Sequence, residues 1–183
     1  PHMFGVPADL DALGTLGVPV VEDLAMSLGS RWRGKRTGGY GSLAVCSFYA
    51  TKMMATGEGG MVLGNDETLL AEVRDLRAMD EKEQFRVRYN CKMTDLQAAL
   101  GLSQLRKLAG FIARRREIAD LYGDALRGLG LPAPSAPADG EPVWYRYVLT
   151  LDGDAGPFIE EMRRRGVECR RPVFKPLHRY LGL

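Results

Sequence analysis

The sequence predicts an α/β fold in two parts, and three observations carry that prediction. Three short apolar runs, GVPVVED (Gly17–Asp23), LAVCSFY (Leu43–Tyr49) and GMVLG (Gly60–Gly64), have strand length and end at acids, a tyrosine or a glycine, the pattern of strands in a buried sheet. Two long segments of helical period follow them. A proline-rich stretch then leads into a second, smaller strand–helix pattern. In order, Gly17–Asp23 is a buried strand that places its two carboxylates at its carboxyl edge. Between and around the strands, Gly34, Gly38, Gly39, Gly41, Gly57, Gly59 and Gly60 mark sharp turns or close backbone approaches. A helix begins at Asn65-Asp66, with Leu69, Leu70, Val73, Leu76 and Met79 on one face. Thr94-Asp-Leu-Gln97 spells a capping box ahead of a long helix that runs to about Leu129, with Gly110 a candidate kink and Arg114–Arg116 on a solvated face. LPAPSAPADGEP (131–142) holds four of the ten prolines and reads as a linker. Beyond it, Val143–Leu151 alternates as a strand, Pro157–Arg165 as an amphipathic helix, and Val167–Phe174 is extended. The expected organisation is therefore a domain over 1–130, a linker over 131–142 and a small domain over 143–183.

Composition narrows the function classes. At 183 residues the chain can bury about 70% of its unfolded surface, enough for a core without disulfide or metal staples. Lys and Arg number 25 against 23 Asp and Glu, a net charge of +2, which argues against a nucleic-acid groove. A 45% hydrophobic and 26% charged composition is that of a folded protein. Cys46, Cys91 and Cys169 are far apart and form no CxxC pair, so neither a disulfide framework nor a zinc site is expected. No apolar run approaches the ~18 residues of a membrane span, and the start PHMFGVPADL lacks the pattern of a signal peptide. The expectation is a cytoplasmic protein with no membrane partner.

Two familiar spacings fail on chemistry. Gly29-Ser-Arg-Trp-Arg-Gly34-Lys35-Arg36 spaces its glycines and lysine like a P-loop, but Arg36 stands where a hydroxyl must hold magnesium, and no strand runs into Gly29. Gly39-Tyr-Gly41-Ser-Leu-Ala44 spells a dinucleotide fingerprint, yet a strand follows it where a helix belongs. The two histidines, His2 and His178, are too few and too separated for a metal site, and each reads as a surface or core-edge residue.

What remains is an acid at one strand end, Asp23, and a lysine just after another strand, Lys52 in SFYATKMM. Lysine in apolar company is paired or has a depressed pKa, and a lysine so tuned attacks carbonyls, including the aldehyde of pyridoxal phosphate. Enzymes of that cofactor need a Schiff-base lysine and a carboxylate against the pyridine nitrogen. A hydroxyl near the lysine, Ser47 or Thr51, is suited to the phosphate. Taken singly, Asp23 also reads as a helix N-cap and Lys52 as a snorkelling surface lysine.

Longer patterns add to this reading. VVEDLAMSLG, then GGYGSLAVCSFYATKMMATGEGG, resembles the cofactor-binding core of the DegT/DnrJ/StrS sugar aminotransferases, with its EDxAQxxG, glycine turn and SFxxTKxxxxGEGG. YNCKMTDLQAALGLSQL (Tyr89–Leu105) is similar to the family's YNxRMxxLQAAxGxxQL, the start PHMFGVPADLD to its HxxGxPxDxD, and RRPVFKPLH to its RPxxxPxH. These segments run in family order along essentially the whole chain.

The resemblance implies a fold-type-I, pyridoxal phosphate-dependent transferase: part of the large-domain sheet, a long helix, then a small α+β C-terminal domain. It implies amino transfer from an amino acid, glutamate in much of the family, to a keto sugar carried by a nucleotide. It further implies a homodimer with shared active sites. By motif, Lys52 forms the Schiff base, Asp23 pairs with the pyridinium, Ser47 binds the phosphate, and Asn90 reaches the phosphate of the partner's cofactor. His178 and Lys175 would face the sugar, although a solvated surface is the simpler reading of Lys175. Met26 stands where the family has Gln or His against the ring hydroxyl, and a thioether cannot donate that hydrogen bond. Gly41-Ser42 replaces the usual Gly-Asp, a change within the turn.

The resemblance also implies that the chain starts mid-protein, without the family's N-terminal half-sheet, phosphate loop and stacking aromatic, and stops short of the family's C-terminus. Open sheet edges are then expected, and an isolated chain without turnover. Two rival readings follow: a non-catalytic truncated paralogue or dimerisation module, and a pyridoxal phosphate-dependent sugar dehydratase. Family dehydratases resemble a histidine at the position of Lys52, which disfavours the second. No metal is expected.

Overall fold

The computed structural model describes residues 1–80, 82–173 and 175–182 and divides the chain into two compact units, Pro1–Tyr147 and Val148–Leu183. The first unit contains α1 (Leu10–Gly14), β1 (Val21–Asp23), β2 (Arg31–Trp32), β3 (Lys35–Arg36), β4 (Leu43–Ser47), β5 (Gly60–Leu63), α2 (Glu67–Leu76), α3 (Asp95–Gly128) and β6 (Gly140–Glu141). The three apolar runs pair into one sheet of order β1-β4-β5. β1 lies parallel to β4, with Asp23 opposite Val45, and β5 returns antiparallel, with Ser47 opposite Gly60. The first run is strand only over Val21–Asp23, because Gly17 takes a positive φ of 65° and Pro19 has no N–H to give a ladder. Val21 and Met61, on the two outer strands, are each at least half exposed.

The polar stretch between β1 and β4, where P-loop and dinucleotide spacings were set aside, folds as a two-residue hairpin. β2 pairs with β3 across Arg33 and Gly34, whose φ values of 46° and 73° are those such a turn demands. β6 pairs with the other side of β2. The proline-rich stretch 131–142 therefore leads back into the first unit, and the boundary expected there falls at Tyr147–Val148 instead.

The helices start and stop for local reasons. Asp66 caps α2 through Thr68 and Leu69 N–H. Thr94 and Gln97 form the full reciprocal capping box of α3. Gly110 neither breaks nor ends α3, which runs unbroken for 34 residues. Two apolar clusters fill the unit. One joins Leu24, Ala44, Cys46, Phe48 and Met54. The other joins Met53, Leu108, Val143 and Tyr145.

Val143–Leu151 is not a strand. Trp144 has a φ of 49°, which interrupts extended backbone, and residues 143 and 146 donate to Gly5 and Phe4 carbonyls rather than to a strand partner. The second unit holds α4 (Gly156–Arg164) and α5 (Leu177–Tyr180), the first matching its expected helix to within a residue. Val167–Val173 pairs with no strand among the described residues, and Phe174 lies outside them. Among the described residues no helix is long and apolar enough to cross a membrane.

One buried carboxylate joins the ends of this arrangement. Glu22, in β1, is 3% exposed. Its Oε2 accepts Gly38 N–H at 2.7 Å, and its Oε1 accepts Tyr40 and Gly41 N–H at 2.8 and 2.7 Å. His2 Nε2 lies 3.2 Å from Oε2, while His2 Nδ1 accepts Ala8 N–H at 3.0 Å, so the ring donates through Nε2. His2 is thus a core residue with a defined task. Gly38 makes the turn possible: its φ is 94°, and a Cβ there would meet Leu24 Cδ1 at 2.7 Å.

Burial alone would raise the Glu22 carboxyl, but His2 and the N–H groups of Gly38, Gly41 and Tyr40 override it and hold the group at about 2. A carboxyl depressed on folding stabilises the protein above its ordinary value of 4.5 and loses that contribution as pH falls toward 2. The contribution is on the order of 3 kcal/mol. Glu22→Gln, which offers one acceptor oxygen to N–H groups that now share two, is expected to cost about 3 kcal/mol near neutral pH. Urea unfolding measured across the acid range checks both statements: the wild type loses stability on acidification more steeply than the variant, and parallel profiles would refute the role of Glu22.

Candidate active site

Asp23 and Ser47 reach the same edge because β1 and β4 are parallel and in register there. Asp23 closes β1 opposite Val45, and Leu24 N–H continues the pairing to Val45 O at 2.8 Å. Ser47 closes β4 two residues later. The carboxyl ends of parallel strands are where α/β sheets bind ligands. Asp23 is half-buried, and its Oδ1 accepts Ala25 N–H at 2.9 Å. That bond caps a turn rather than the helix N-terminus that was one reading of the residue. Its other oxygen accepts no hydrogen bond among the described residues. The Asp23 charge also bears on β4: burial first, then that carboxylate, push the Cys46 thiol up to about 11.

Lys52 follows in a loop that β4 sets. Thr56 N–H closes the loop on Phe48 O at 2.8 Å, and Lys52 N–H donates to Tyr49 O at 2.9 Å. The next two residues anchor it, since Met53 and Met54 are 5% and 6% exposed and enter different core clusters. Lys52 is half-buried between them and solvent. It makes no ion pair among the described residues; its Nζ lies 5.5 Å from the centroid of the Tyr145 ring. Ser47 Oγ accepts only a long contact, 3.4 Å, from Tyr49 N–H. An uncommitted amine, a carboxylate with a free oxygen and an available hydroxyl on one edge form the donor set that pyridoxal phosphate needs. The residues present fit that cofactor.

The other expected site residues are placed separately. Met26 is half-buried and packs on the cluster that holds Met53 and Tyr145. Asn90 is exposed on a segment tied to α2: its neighbours Tyr89 and Cys91 donate to Leu76 O and Arg77 O at 2.8 and 3.0 Å. It makes no hydrogen bond to Asp23, Ser47 or Lys52 among the described residues. Lys175 and His178 belong to the second unit, where both are exposed. Lys175 Nζ sits 4.6 Å from the Tyr180 ring, and His178 lies within α5.

Sequence reasoning missed Tyr145 and misplaced two arginines. Arg114 is on the solvated face, paired with Glu117. Arg115 instead donates to Trp144 O and Tyr145 O, both at 3.2 Å, and Arg116 to Pro142 O at 2.9 Å. From the other side, Val143 N–H donates to Gly5 O at 2.9 Å and Arg146 N–H to Phe4 O at 3.1 Å. The sequence signal available for this was the aromatic run VWYRY directly after the prolines.

With a parallel strand pair presenting an acid, a hydroxyl and a lysine at its carboxyl edge, the class is that of fold-type-I transferases. The chain belongs to the DegT/DnrJ/EryC1/StrS aminotransferase family, whose model matches residues 1–181. It is 33% identical over 192 residues to the GDP-perosamine synthase of Caulobacter vibrioides, covering 97% of this chain and 52% of that protein. Among solved structures it superposes on S. venezuelae DesV with a TM-score of 0.88 at 29% identity, covering 99% of this chain and 52% of DesV. It matches the aminotransferase TlmJ from Streptoalloteichus hindustanus with a TM-score of 0.83 at 34% identity, covering 97% and 51%. The chain thus spans about half the length of the relatives it matches. The family's cofactor is pyridoxal 5′-phosphate.

Gly5 decides whether the segment carrying Tyr145 can dock. Its φ is 90°, and a Cβ would stand 2.6 Å from Tyr145 N and 3.1 Å from Trp144 N. Gly5→Ala combines left-handed strain with a backbone clash and is expected to cost at least about 2 kcal/mol. The check is a lowered urea midpoint at unchanged slope.

Proposed function

We propose that this protein is a pyridoxal phosphate-dependent aminotransferase that moves an amino group from an amino acid, glutamate by preference, to a nucleotide-linked keto sugar. The observation that carries the proposal is Lys52: a half-buried amine with no carboxylate partner among the described residues, on the sheet edge that also presents Asp23 and Ser47. Family membership supports the amino transfer. The GDP-linked sugar in the name of the C. vibrioides relative supports a nucleotide-linked acceptor.

Each residue then has a defined task. Pyridoxal phosphate, when bound, supplies an aldehyde for an amine and an electron sink for the bond broken at the donor's α-carbon. Lys52 Nζ would hold the cofactor through its aldehyde and, when free, would take the donor's α-proton and return it two atoms away, at the carbon of that aldehyde. Asp23 holds a proton on the pyridine nitrogen through its free oxygen, and Ala25 N–H keeps the carboxylate oriented. Ser47 Oγ donates to the phosphate, and Asn90 donates to the phosphate held by a second copy in a homodimer. Met26 leaves the ring hydroxyl without the hydrogen bond that Gln or His would give. His178 and Lys175 act on the sugar side.

Reduction of the full-length enzyme with borohydride after adding pyridoxal phosphate, followed by peptide mapping, is expected to place one cofactor on Lys52. Scattered or absent labelling would overturn the reading. In the full-length enzyme Lys52→Ala is expected to abolish turnover. Asp23→Asn should lower kcat by orders of magnitude while leaving the circular dichroism spectrum unchanged. A near-normal rate would remove Asp23 from its task.

A further inference from the structure

The segment 142–147 is held more firmly than a loop requires. Arg115 and Arg116 of α3 bond three of its carbonyls, Gly5 and Phe4 accept two of its N–H groups, and Trp144 is kept in a left-handed conformation that costs a non-glycine residue energy. All of these restraints converge on one side chain. Tyr145 is 8% exposed, its ring lies 5.5 Å from Lys52 Nζ, and its hydroxyl is 3.3 Å from Thr51 Oγ1. The ring thus faces the amine while the hydroxyl holds the adjoining residue of the same loop. An ammonium within about 6 Å of a ring centroid is attracted by the ring's quadrupole.

We propose that Tyr145 is a positioning residue for Lys52: its ring face holds the Lys52 ammonium whenever that nitrogen is protonated and not bonded to cofactor, so the group stays beside the reacting carbon instead of swinging into solvent. The inference rests on the proposed aminotransferase function. In such a reaction the released lysine takes a proton as a neutral amine, and the ammonium so formed must stay in place until it gives that proton back. No carboxylate pairs with it among the described residues, so the aromatic face is what restrains it. The Arg146 guanidinium lies 5.3 Å from the same centroid. Burial opposes ionisation of the Tyr145 phenol, but Thr51, Lys52 and Arg146 together lower its pKa.

Reductive methylation with 13C-formaldehyde tests the contact without cofactor. Methyl groups on Lys52 above an aromatic face resonate upfield of those on the exposed Lys35 and Lys107. The shift is expected in the wild type, retained in Tyr145→Phe and lost in Tyr145→Leu. A Lys52 signal that coincides with Lys35 and Lys107 in the wild type overturns the proposal, even if Tyr145→Leu fails to fold. In turnover, Tyr145→Leu is expected to lower kcat about 100-fold through lost orientation. KM for both substrates should stay within about twofold. Tyr145→Phe, which keeps the ring, should recover about tenfold or more of that loss. An unchanged kcat in Tyr145→Leu, or an equal loss in the two variants, counts against the ring-face role. Borohydride labelling separates the two failures: Lys52 that takes up cofactor but shows no upfield shift defeats this inference alone, whereas Lys52 that takes up no cofactor defeats the function and the inference together.

Discussion

A single buried carboxylate sets the frame of the candidate active site. Glu22 accepts three backbone N–H groups from the glycine turn and one hydrogen bond from His2, which fills the acceptor capacity of two carboxylate oxygens. A buried charge without such partners would be costly. With them, it ties together three stretches of chain that share no secondary structure: the N-terminal residues, β1 and the turn at 38–41. That turn leads directly into β4, so the same carboxylate determines where β4 starts and where Ser47 and the lysine loop end up. Asp23 is the next residue along β1. The acid that serves the fold and the acid proposed for the chemistry are neighbours because one strand end carries both.

The opposite wall is built on different principles. The loop around Lys52 is held in the core by Met53 and Met54, each packed in a separate cluster, so the backbone is fixed immediately after the lysine. The segment carrying Tyr145 pairs with no strand among the described residues and is held by arginine side chains on its carbonyls and by backbone contacts to Gly5 and Phe4. These hydrogen bonds satisfy groups that a sheet would otherwise satisfy. The result is an irregular segment that places an aromatic face against an amine. A regular strand, with a strict period of two, offers less freedom to aim one ring.

Several elements were legible because their causes are local. The capping box at Thr94 and Gln97 starts α3 where the residues say it should, since both hydrogen bonds lie within one turn. The apolar run at Leu43 became the central strand because no other element could bury it so fully. The candidates Asp23, Ser47 and Lys52 were named from residue type and order. Other elements were not legible. Alternation over Val143–Leu151 suggests that one side is buried, but not whether a strand pairs with it, and none does among the described residues. Arg115 and Arg116 look like solvated charges in sequence, because the carbonyls they bond lie about 30 residues away.

The sequence by itself therefore determined the family to which the chain belongs and named the candidates for its chemistry: a lysine, an acid and a hydroxyl after apolar runs. It also determined where helices begin, because capping is decided within four residues. Only the tertiary structure decided that Asp23 and Ser47 share an edge, which depends on the parallel register of β1 and β4. The same holds for the environment of Lys52. Its contact with Tyr145 joins residues 93 positions apart, and no local preference encodes a contact that forms only when separate segments fold together.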